Sequence, residues 1–290
     1  MDYVIENNLL KVTVSDEGAE LQHMIYKPSA QEYIWCADPA YWGKKSPVLF
    51  PVVGTLKNDT YYYEGKAYSL PRHGFARTKK FSLIAQEAES LLFSLKDDKS
   101  TNEVYPFAFE LQIKYTIEQE TLSVSYIVKN PDSGDLYFSV GGHPAFAVPM
   151  FAGEAYEDYV LAFEQKETSG RWPISADGLI EQAPDDLLQD ESVLPLSKSL
   201  FHKDAVVLKY LKSSYVDLVS KKRQHGLRFN FPGFPYLGLW AAKDADFVCI
   251  EPWCGIADSV QANQQLPDKE GMLRLEGGGV FERTWSVSVI

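Results

Sequence analysis

The stretch that decides the fold is FAFELQIKYTI (residues 107–117), which is followed after a short break by LSVSYIVK (122–129). In the first segment apolar side chains alternate with polar ones: Phe109, Leu111, Ile113 and Tyr115. The second segment has the same period of two. This period is typical of strands with one face on a core and the other in water. The pair therefore predicts neighbouring antiparallel strands.

Similar short patterns recur along most of the chain, separated by polar turns, for example at 10–14, 91–95, 215–220 and 283–289. Many short strands without helical periodicity predict an all-β sandwich or barrel. The strands are too numerous for an immunoglobulin-sized domain. We therefore expect a single domain over residues 1–290, an antiparallel β-sandwich of two large packed sheets. Residues 150–205 look less regular, and Leu187-Leu188 suggests a short helix.

Composition limits the class of partner. The 290 residues contain 28 basic and 40 acidic side chains, a formal net charge of -12. An acidic chain repels phosphate backbones, which argues against nucleic acid and anionic membranes as partners. A content of 45% hydrophobic residues supplies a sizeable core. No apolar run approaches the length of about 20 residues that spans a membrane.

Cysteine usage and the N-terminus indicate the compartment. Cys36, Cys249 and Cys254 are odd in number and do not form a disulfide framework, so we expect mostly buried thiols in a reducing cytosol. Residues 1–10 contain Asp2 and Glu6 and do not resemble a signal peptide. The sequence thus predicts a cytoplasmic protein, as a monomer or homodimer.

Three short segments carry the residues that suggest chemistry. GGHPAF (141–146) ends a predicted strand and places His143 behind two glycines, which permit close approach of a ligand. PRHGFAR (71–77) places His73 in a loop between Arg72 and Arg77. From the residues alone, a core histidine satisfied by a backbone carbonyl is the favoured interpretation of each.

The third segment, CIEPW (249–253), ends an apolar strand with a carboxylate. If Glu251 is buried it must be paired, hydrogen-bonded or protonated. Burial raises the pKa of a carboxyl group, which would suit Glu251 to accept a proton near neutral pH. A structural ion pair is the alternative.

Several other kinds of site are disfavoured by missing motifs. The sequence contains no H-E-x-x-H or Cys-His cluster for metal and no G-x-S-x-G for a serine hydrolase. It also contains no dinucleotide or P-loop glycine pattern. Three separated metal ligands, His73, His143 and Glu251, remain an alternative, but we expect no metal and no cofactor.

Aromatic residues accompany the candidates. Phe75, Phe146 and Trp253 lie within the three segments, and Trp240 lies in a neighbouring predicted strand. Aromatic rings beside a few polar groups are typical of a sugar-binding pocket, although each ring could equally fill the core.

Taken in this order, PRHGFAR, GGHPAF and CIEPW resemble the aldose 1-epimerase (galactose mutarotase) family, in particular its LacX-like branch. The similarity runs over nearly the whole chain. It implies a galactose mutarotase-like supersandwich and interconversion of the α and β anomers of a sugar. No metal or redox cofactor is required for opening a hemiacetal, because the reaction only removes one proton and adds another.

The resemblance also implies individual roles. Glu251 would be the general base at the C1 hydroxyl, and His143 the general acid at the ring oxygen. His73 would hydrogen-bond the sugar. Arg72, Arg77, Phe146 and Trp253 are further candidates for contact with the substrate, and Asp204 matches the sugar-binding aspartate of the family.

One departure affects the substrate. Family members often carry an arginine where this chain has Thr55, and Thr55 cannot supply a guanidinium group. Lys57 or Arg77 would have to substitute.

Three alternatives remain open at this point. The chain could be a mutarotase for a free hexose or for a hexose phosphate. It could be a sugar-binding or sensing protein without turnover. A glycosidase or lyase would need a second positioned carboxylate, which the sequence does not reveal.

Overall fold

The computed structural model describes residues 1–223 and 225–290. The all-β prediction is confirmed, since 49% of residues lie in strands and 7% in helices. The strands are, in chain order, β1 (Asp2–Glu6), β2 (Leu10–Ser15), β3 (Leu21–Tyr26), β4 (Gln31–Glu32), β5 (Val48–Leu49), β6 (Thr60–Tyr63), β7 (Lys66–Ser69), β8 (Ser82–Gln86), β9 (Ser90–Lys96), β10 (Glu110–Glu118), β11 (Thr121–Lys129), β12 (Leu136–Phe138), β13 (Val140–Gly142), β14 (Ala145–Ala147), β15 (Tyr159–Arg171), β16 (Asp185–Pro195), β17 (Val206–Lys209), β18 (Tyr215–Ser220), β19 (Gly226–Asn230), β20 (Tyr236–Trp240), β21 (Phe247–Cys254), β22 (Leu273–Leu275) and β23 (Val280–Val289).

Within residues 1–223 and 225–290, helical structure is limited to single turns. The one α-helical turn, α1 (Lys99–Asn102), is capped by the Asp98 side chain, which accepts a hydrogen bond from the Thr101 N–H at 2.8 Å. The 3-10 turns are Lys57–Asp59, Ala76–Thr78, Tyr156–Asp158, Lys198–Phe201 and Leu266–Asp268. Among the described residues no helix is long and apolar enough to span a bilayer.

Two large sheets dominate, and their strand pairs are antiparallel. One has nine strands in the order β16-β15-β18-β19-β23-β11-β10-β9-β8. The other has six strands, β17-β20-β21-β13-β5 with β14 also on β21. A four-stranded sheet (β1 to β4) and two ribbons, β12-β22 and β6-β7, complete the fold.

The strands that open the sequence analysis lie at the centre of the nine-stranded sheet. β10 and β11 pair in register from Glu110↔Lys129 to Glu118↔Thr121. Ile113 and Tyr126 are register partners and both are buried. The apolar residues at every second position of β10 and β11 belong to the main core, so they form the buried face of each strand.

Residues 150–205 are more regular than expected, and the expectation of a short helix at Leu187-Leu188 is wrong. β15 and β16 are strands of 13 and 11 residues that pair with each other, and Leu187-Leu188 lies in β16 rather than in a helix. β16 is an edge strand, largely exposed on both faces, and its register with β15 is interrupted by shifts after Ala162, Glu167 and Ser169. An exposed, interrupted strand has no period-two pattern to detect.

Candidate functional site

A cavity of about 300 Å³ lies over the six-stranded sheet, at the point where all three predicted segments meet. Its lining residues are Trp42, Arg72, His73, Arg77, His143, Asp204, Ala205, Trp240, Glu251 and Trp253. Its volume is at the lower end of the range of small-molecule sites. Of the residues that the resemblance assigns to catalysis or substrate contact, all line this cavity except Phe146.

Phe146 needs a correction. It is fully buried in the main core, where its ring lies 5.9 Å from that of Phe229. β14 pairs with β21 through Phe146↔Val248, whereas Glu251 lies three residues further along β21. An odd spacing along a strand places the two positions on opposite faces of the sheet. Phe146 therefore supports the sheet from behind and does not reach the cavity.

The glycine pair serves the sheet rather than a ligand. A Cβ added at Gly141 would lie 2.8 Å from the Trp253 ring, and one at Gly142 would lie 2.6 Å from the Tyr126 hydroxyl. Both distances are too short for any side chain. The two glycines thus let β13 pack between β21 and the core, which places His143 at the end of β13 beside Glu251.

His143 and Glu251 form the centre of the cavity. His143 Nε2 lies 3.3 Å from Glu251 Oε2, and the side chains are 10% and 2% exposed. The contact lacks the alignment of a hydrogen bond, and among the described residues Glu251 Oε2 and His143 Nδ1 have no hydrogen-bond partner. Both buried atoms therefore have unused hydrogen-bonding capacity.

Burial shifts both groups towards their neutral forms. Desolvation raises the pKa of Glu251 well above its usual range, opposed mainly by the positive charge of Arg72. Desolvation also lowers the pKa of His143 to about 3. Burial therefore favours a protonated, neutral Glu251 carboxyl group beside a neutral His143 imidazole.

Aromatic rings supply this desolvation. Trp42 stacks on His143 with ring centres 4.9 Å apart, and Trp240 meets the imidazole edge-on at 5.5 Å. Trp35 holds the Trp42 backbone through an Nε1–H bond to its carbonyl of 2.9 Å. Trp42 is not among the site candidates named from the sequence. Its only signal was an aromatic pair in a loop.

His73 is fixed by its backbone as well as its ring. It has a left-handed φ of 68°, and its N–H donates to the Gly54 carbonyl at 2.9 Å. The Gly54 N–H in turn donates to His73 Nδ1 at 3.1 Å. Burial, with the nearby positive charges, keeps the pKa of His73 well below its usual range.

Arg72 and Arg77 form the positive side of the cavity. Arg72 Nε donates to His73 Nε2 at 3.3 Å, and its guanidinium lies 3.8 Å from Asp204 Oδ1. Both ring nitrogens of His73 thus face N–H donors, and a neutral imidazole accepts from only one of them at a time. Arg77 donates to the Arg72 carbonyl at 2.8 Å, and burial lowers its pKa.

Asp204, the ion-pair partner of Arg72, is held in a strained conformation. Its φ is 82°, a region that non-glycine residues rarely adopt. Its carboxylate accepts from the Ala205 N–H at 2.7 Å. The Arg171 guanidinium donates to the carbonyls of Leu200, Asp204 and Ala205 at 3.1, 2.9 and 3.3 Å. Arg171 lies outside the three motifs, so no sequence pattern predicted its contacts with this loop.

The two residues offered as substitutes for the missing arginine behave differently. Lys57 Nζ donates to the carbonyl of Val260 at 2.9 Å and does not line the cavity. Thr55 does not line it either, whereas Arg77 does. Arg77 is therefore the substitute that the geometry permits.

His143, Cys249 and Glu251 also offer ligand atoms that lie within 4.8 Å of one another. A metal would require the thiolate and the carboxylate. Burial raises the pKa of both Cys249 and Glu251, so each would have to lose a proton that its surroundings retain. The donor set is therefore poorly suited to a metal at neutral pH.

Cys249 and Cys254 are buried as expected, and Cys36 is exposed.

Known proteins are similar to this chain in sequence and in architecture. A family model described as aldose 1-epimerase matches residues 1–267. The plasmid-encoded protein LacX of Lactococcus lactis subsp. lactis is 32% identical over 299 residues, with both chains covered completely. A galactose mutarotase related enzyme from Lactobacillus acidophilus superposes with a TM-score of 0.95 at 38% identity, over 100% of this chain and 97% of that one. A galactose mutarotase-like protein from Lactobacillus casei gives a TM-score of 0.94 at 28% identity, over the full length of both.

The sequence match and these superpositions agree with the resemblance drawn from the three motifs. They extend it from the motifs to the order of the strands. The chain belongs to the aldose 1-epimerase family.

Proposed function

We propose that the protein is an aldose 1-epimerase that interconverts the α and β anomers of a hexose by opening and closing its ring. The observation that carries the proposal is the buried pair of His143 and Glu251, 3.3 Å apart in a cavity of about 300 Å³. The reaction needs one group to take a proton and another to give one, both within reach of the same sugar.

The steps balance as follows. Glu251 takes the proton from the C1 hydroxyl while His143 gives a proton to the ring oxygen. The bond between C1 and the ring oxygen breaks, and the open-chain aldehyde forms. Rotation about C1–C2 presents the other face of the carbonyl. Closure then returns one proton to His143 and the other to O1, so nothing is consumed.

The resting protonation state adds a step. The neutral pair must first become a Glu251 carboxylate and a His143 imidazolium, which requires one proton to cross the 3.3 Å contact. This transfer leaves the net charge unchanged. Arg72 favours the carboxylate form, because its positive charge opposes the rise in the pKa of Glu251.

His73 and Arg72 are proposed to bind a sugar oxygen. The Nε–H of Arg72 donates to His73, and the remaining N–H groups of its guanidinium can donate to a sugar oxygen. As the ring opens, negative charge develops on the ring oxygen, and donors already in place stabilise it. Asp204 and the indole of Trp253 are suited to bind hydroxyls and the apolar face of the ring.

A hexose phosphate is a second candidate substrate, favoured by Arg72 and Arg77. Guanidinium groups match phosphate oxygens in geometry and charge. Arg72 is only partly neutralised by Asp204 at 3.8 Å, and among the described residues no carboxylate forms an ion pair with Arg77. A free hexose would leave Arg77 with its bond to the Arg72 carbonyl alone.

Exchange of magnetisation between the anomeric protons, measured by NMR at equilibrium, tests the proposal. We expect exchange with D-glucose, D-galactose or their 6-phosphates. A phosphate preference would disappear in Arg77→Met and stay in Lys57→Met, the matched loss of charge outside the cavity. Binding of these sugars without exchange would instead establish a sugar-binding protein.

A further inference from the structure

A buried ion pair lies outside the cavity, and the proposed chemistry does not use it. Lys269 Nζ lies 2.9 Å from Asp258 Oδ1, and the two side chains are 4% and 3% exposed. The Lys269 ammonium also donates to the Ile256 carbonyl. Burying two charges costs desolvation free energy, and a buried ion pair adds little net stability over apolar side chains of similar volume. Stability alone therefore does not account for the pair.

The pair holds the turn after β21 against residues 54–57. The Asp258 N–H donates to the Thr55 carbonyl at 2.9 Å. The Asp258 carboxylate accepts from the Lys57 N–H, also at 2.9 Å, through Oδ2, while Oδ1 faces Lys269. Asp258 thus bonds to the backbone on both sides of Leu56, and this segment cannot shift without breaking bonds to the pair.

Gly54 connects this segment to His73. Gly54 has a left-handed φ of 74° and packs so closely on Ala257 that an added Cβ would lie 2.4 Å from the Ala257 Cβ. Lys269 bonds to the residues on both sides of Ala257. The Gly54 N–H donates to His73 Nδ1 at 3.1 Å, and the Gly54 carbonyl accepts from the His73 N–H at 2.9 Å. The position of the Gly54 amide therefore depends on the ion pair.

The His73 ring lies between two donors that compete for it. The Gly54 N–H faces Nδ1 at 3.1 Å, and the Arg72 Nε–H faces Nε2 at 3.3 Å. Burial keeps the pKa of His73 well below its usual range, so the ring is neutral and carries one N–H. If Nδ1 accepts, the ring proton lies on Nε2. If Nε2 accepts, the proton lies on Nδ1 and faces the Gly54 N–H.

The two donors differ in their freedom to move. The Gly54 amide belongs to backbone that is bonded to His73 and, one residue further on, to Asp258. The Arg72 side chain is 44% exposed and can turn towards water or a ligand. A fixed N–H that faces another N–H stays unsatisfied, whereas a mobile guanidinium finds other acceptors. This difference favours Nδ1 as the acceptor and a proton on Nε2.

We propose that the Lys269–Asp258 pair selects the tautomer of His73, by holding the Gly54 N–H at Nδ1 so that an Nε2–H is available to donate to a sugar oxygen. Lys269 and Asp258 are then positioning residues that act through Gly54 and touch no substrate. The effect on catalysis rests on the proposed function, whereas the choice of tautomer does not.

Long-range 1H–15N correlation spectra of protein labelled with 15N-histidine test the tautomer directly. A ring nitrogen that accepts and one that carries a proton have different 15N shifts, and the His73 signals are assigned by their loss in His73→Gln. Wild-type protein should show His73 protonated on Nε2. A His73 ring protonated on Nδ1 would overturn the proposal, and this measurement needs no change at the ion pair.

Lys269→Met combined with Asp258→Leu tests the pair itself. The exchange leaves neither charge unpaired in the interior, so the variant is expected to fold. The ratio of Nε2–H to Nδ1–H tautomers should fall about tenfold, as expected for one lost hydrogen bond, and kcat/KM for the preferred hexose should fall with it. Lys269→Arg keeps the charge, and a cavity of about 280 Å³ beside Lys269 gives the larger group room. It should restore the wild-type ratio.

The control makes the same exchange at another ion pair. Arg228 and Asp217 are partners between β18 and β19, with Nε and Oδ1 2.8 Å apart. Arg228→Met combined with Asp217→Leu should leave the tautomer ratio and kcat/KM unchanged.

The failure of this inference and the failure of the proposed function give different results. A protein that exchanges no anomers, but whose His73 tautomer shifts when Lys269 and Asp258 are replaced, retains the inference and loses the proposed function. A folded double variant with the wild-type tautomer ratio overturns the positioning role, whether or not the protein exchanges anomers.

Discussion

Replacing His143 by glutamine should change how the stability of the protein depends on pH. The folded site keeps the imidazole neutral, because burial lowers its pKa from 6.5 to about 3. In the unfolded chain the same group takes up a proton as the pH falls through 6.5. Acid therefore favours the unfolded state through His143, and this penalty begins near pH 6.5 and grows until about pH 3.

The size of the effect follows from the shift. Each pKa unit corresponds to about 1.4 kcal/mol. At pH 5, about 1.5 units below the unfolded pKa, the unfolded chain gains about 2 kcal/mol from this one group. At pH 7 the gain is close to zero. Glutamine cannot titrate, so the difference in unfolding free energy between variant and wild type should move by about 2 kcal/mol in favour of the variant between pH 7 and pH 5.

Urea unfolding of both proteins at pH 7, 6 and 5, followed by tryptophan fluorescence, measures this difference. Any loss of packing in the variant appears at every pH and cancels from the comparison. His225→Gln, at an exposed position, is the matched control and should show a much smaller change.

The opposite result would refute the reasoning. If His143 rested as an imidazolium paired with a Glu251 carboxylate, its folded pKa would be raised, and its stabilising contribution would be full below pH 6.5. Wild type would then gain stability relative to His143→Gln on going from pH 7 to pH 5.

Three further changes test the surroundings of the pair. Gly238→Ala would place a Cβ 2.4 Å from the Trp253 ring, so it should lower the free energy of unfolding in urea by about 1–3 kcal/mol. Gly134→Ala is the control, because a Cβ there has nothing within 4 Å and should not lower it. Equal stabilities of the two variants would contradict the packing. Arg171→Met removes the guanidinium that donates to the Asp204 and Ala205 carbonyls. KM in the anomerisation assay should therefore rise about tenfold, while kcat changes less. A fall in kcat alone would contradict a positioning role for Arg171. Trp42→Ala opens one face of the His143 ring to water. An NMR titration should therefore find the pKa of His143 raised from about 3 towards 6.5. An unchanged pKa of His143 would show that Trp42 is not the source of the desolvation.

The sequence predicted those parts of the fold in which one face of a strand is buried. β10 and β11 are examples, since their alternation is the direct record of a core on one side. It did not predict the full length of β16, where both faces are largely exposed and no regular pattern forms. It also could not assign the strands to sheets, because register depends on pairings between residues far apart in the chain.

At the site, the motifs identified the polar groups but not what surrounds them. His73, His143 and Glu251 follow from the three segments together, since each ends a strand or occupies a loop beside glycine or proline. The stack of Trp42 on His143 and the bonds of Arg171 to the Asp204 loop depend on contacts between distant segments. The same limit misplaced Phe146: its position next to the histidine motif suggested the cavity, but the alternation of β14 turns it into the core.

The optical rotation of freshly dissolved α-D-glucose and α-D-galactose tests the central claim most directly. Wild-type protein should speed the relaxation to the equilibrium rotation, and both Glu251→Gln and His143→Asn should lower that acceleration at least about 100-fold. Variants that relax the sugars as fast as wild type would contradict the acid-base pair. Wild-type protein that leaves the relaxation of both sugars and of their 6-phosphates at the buffer rate would contradict the proposed function itself.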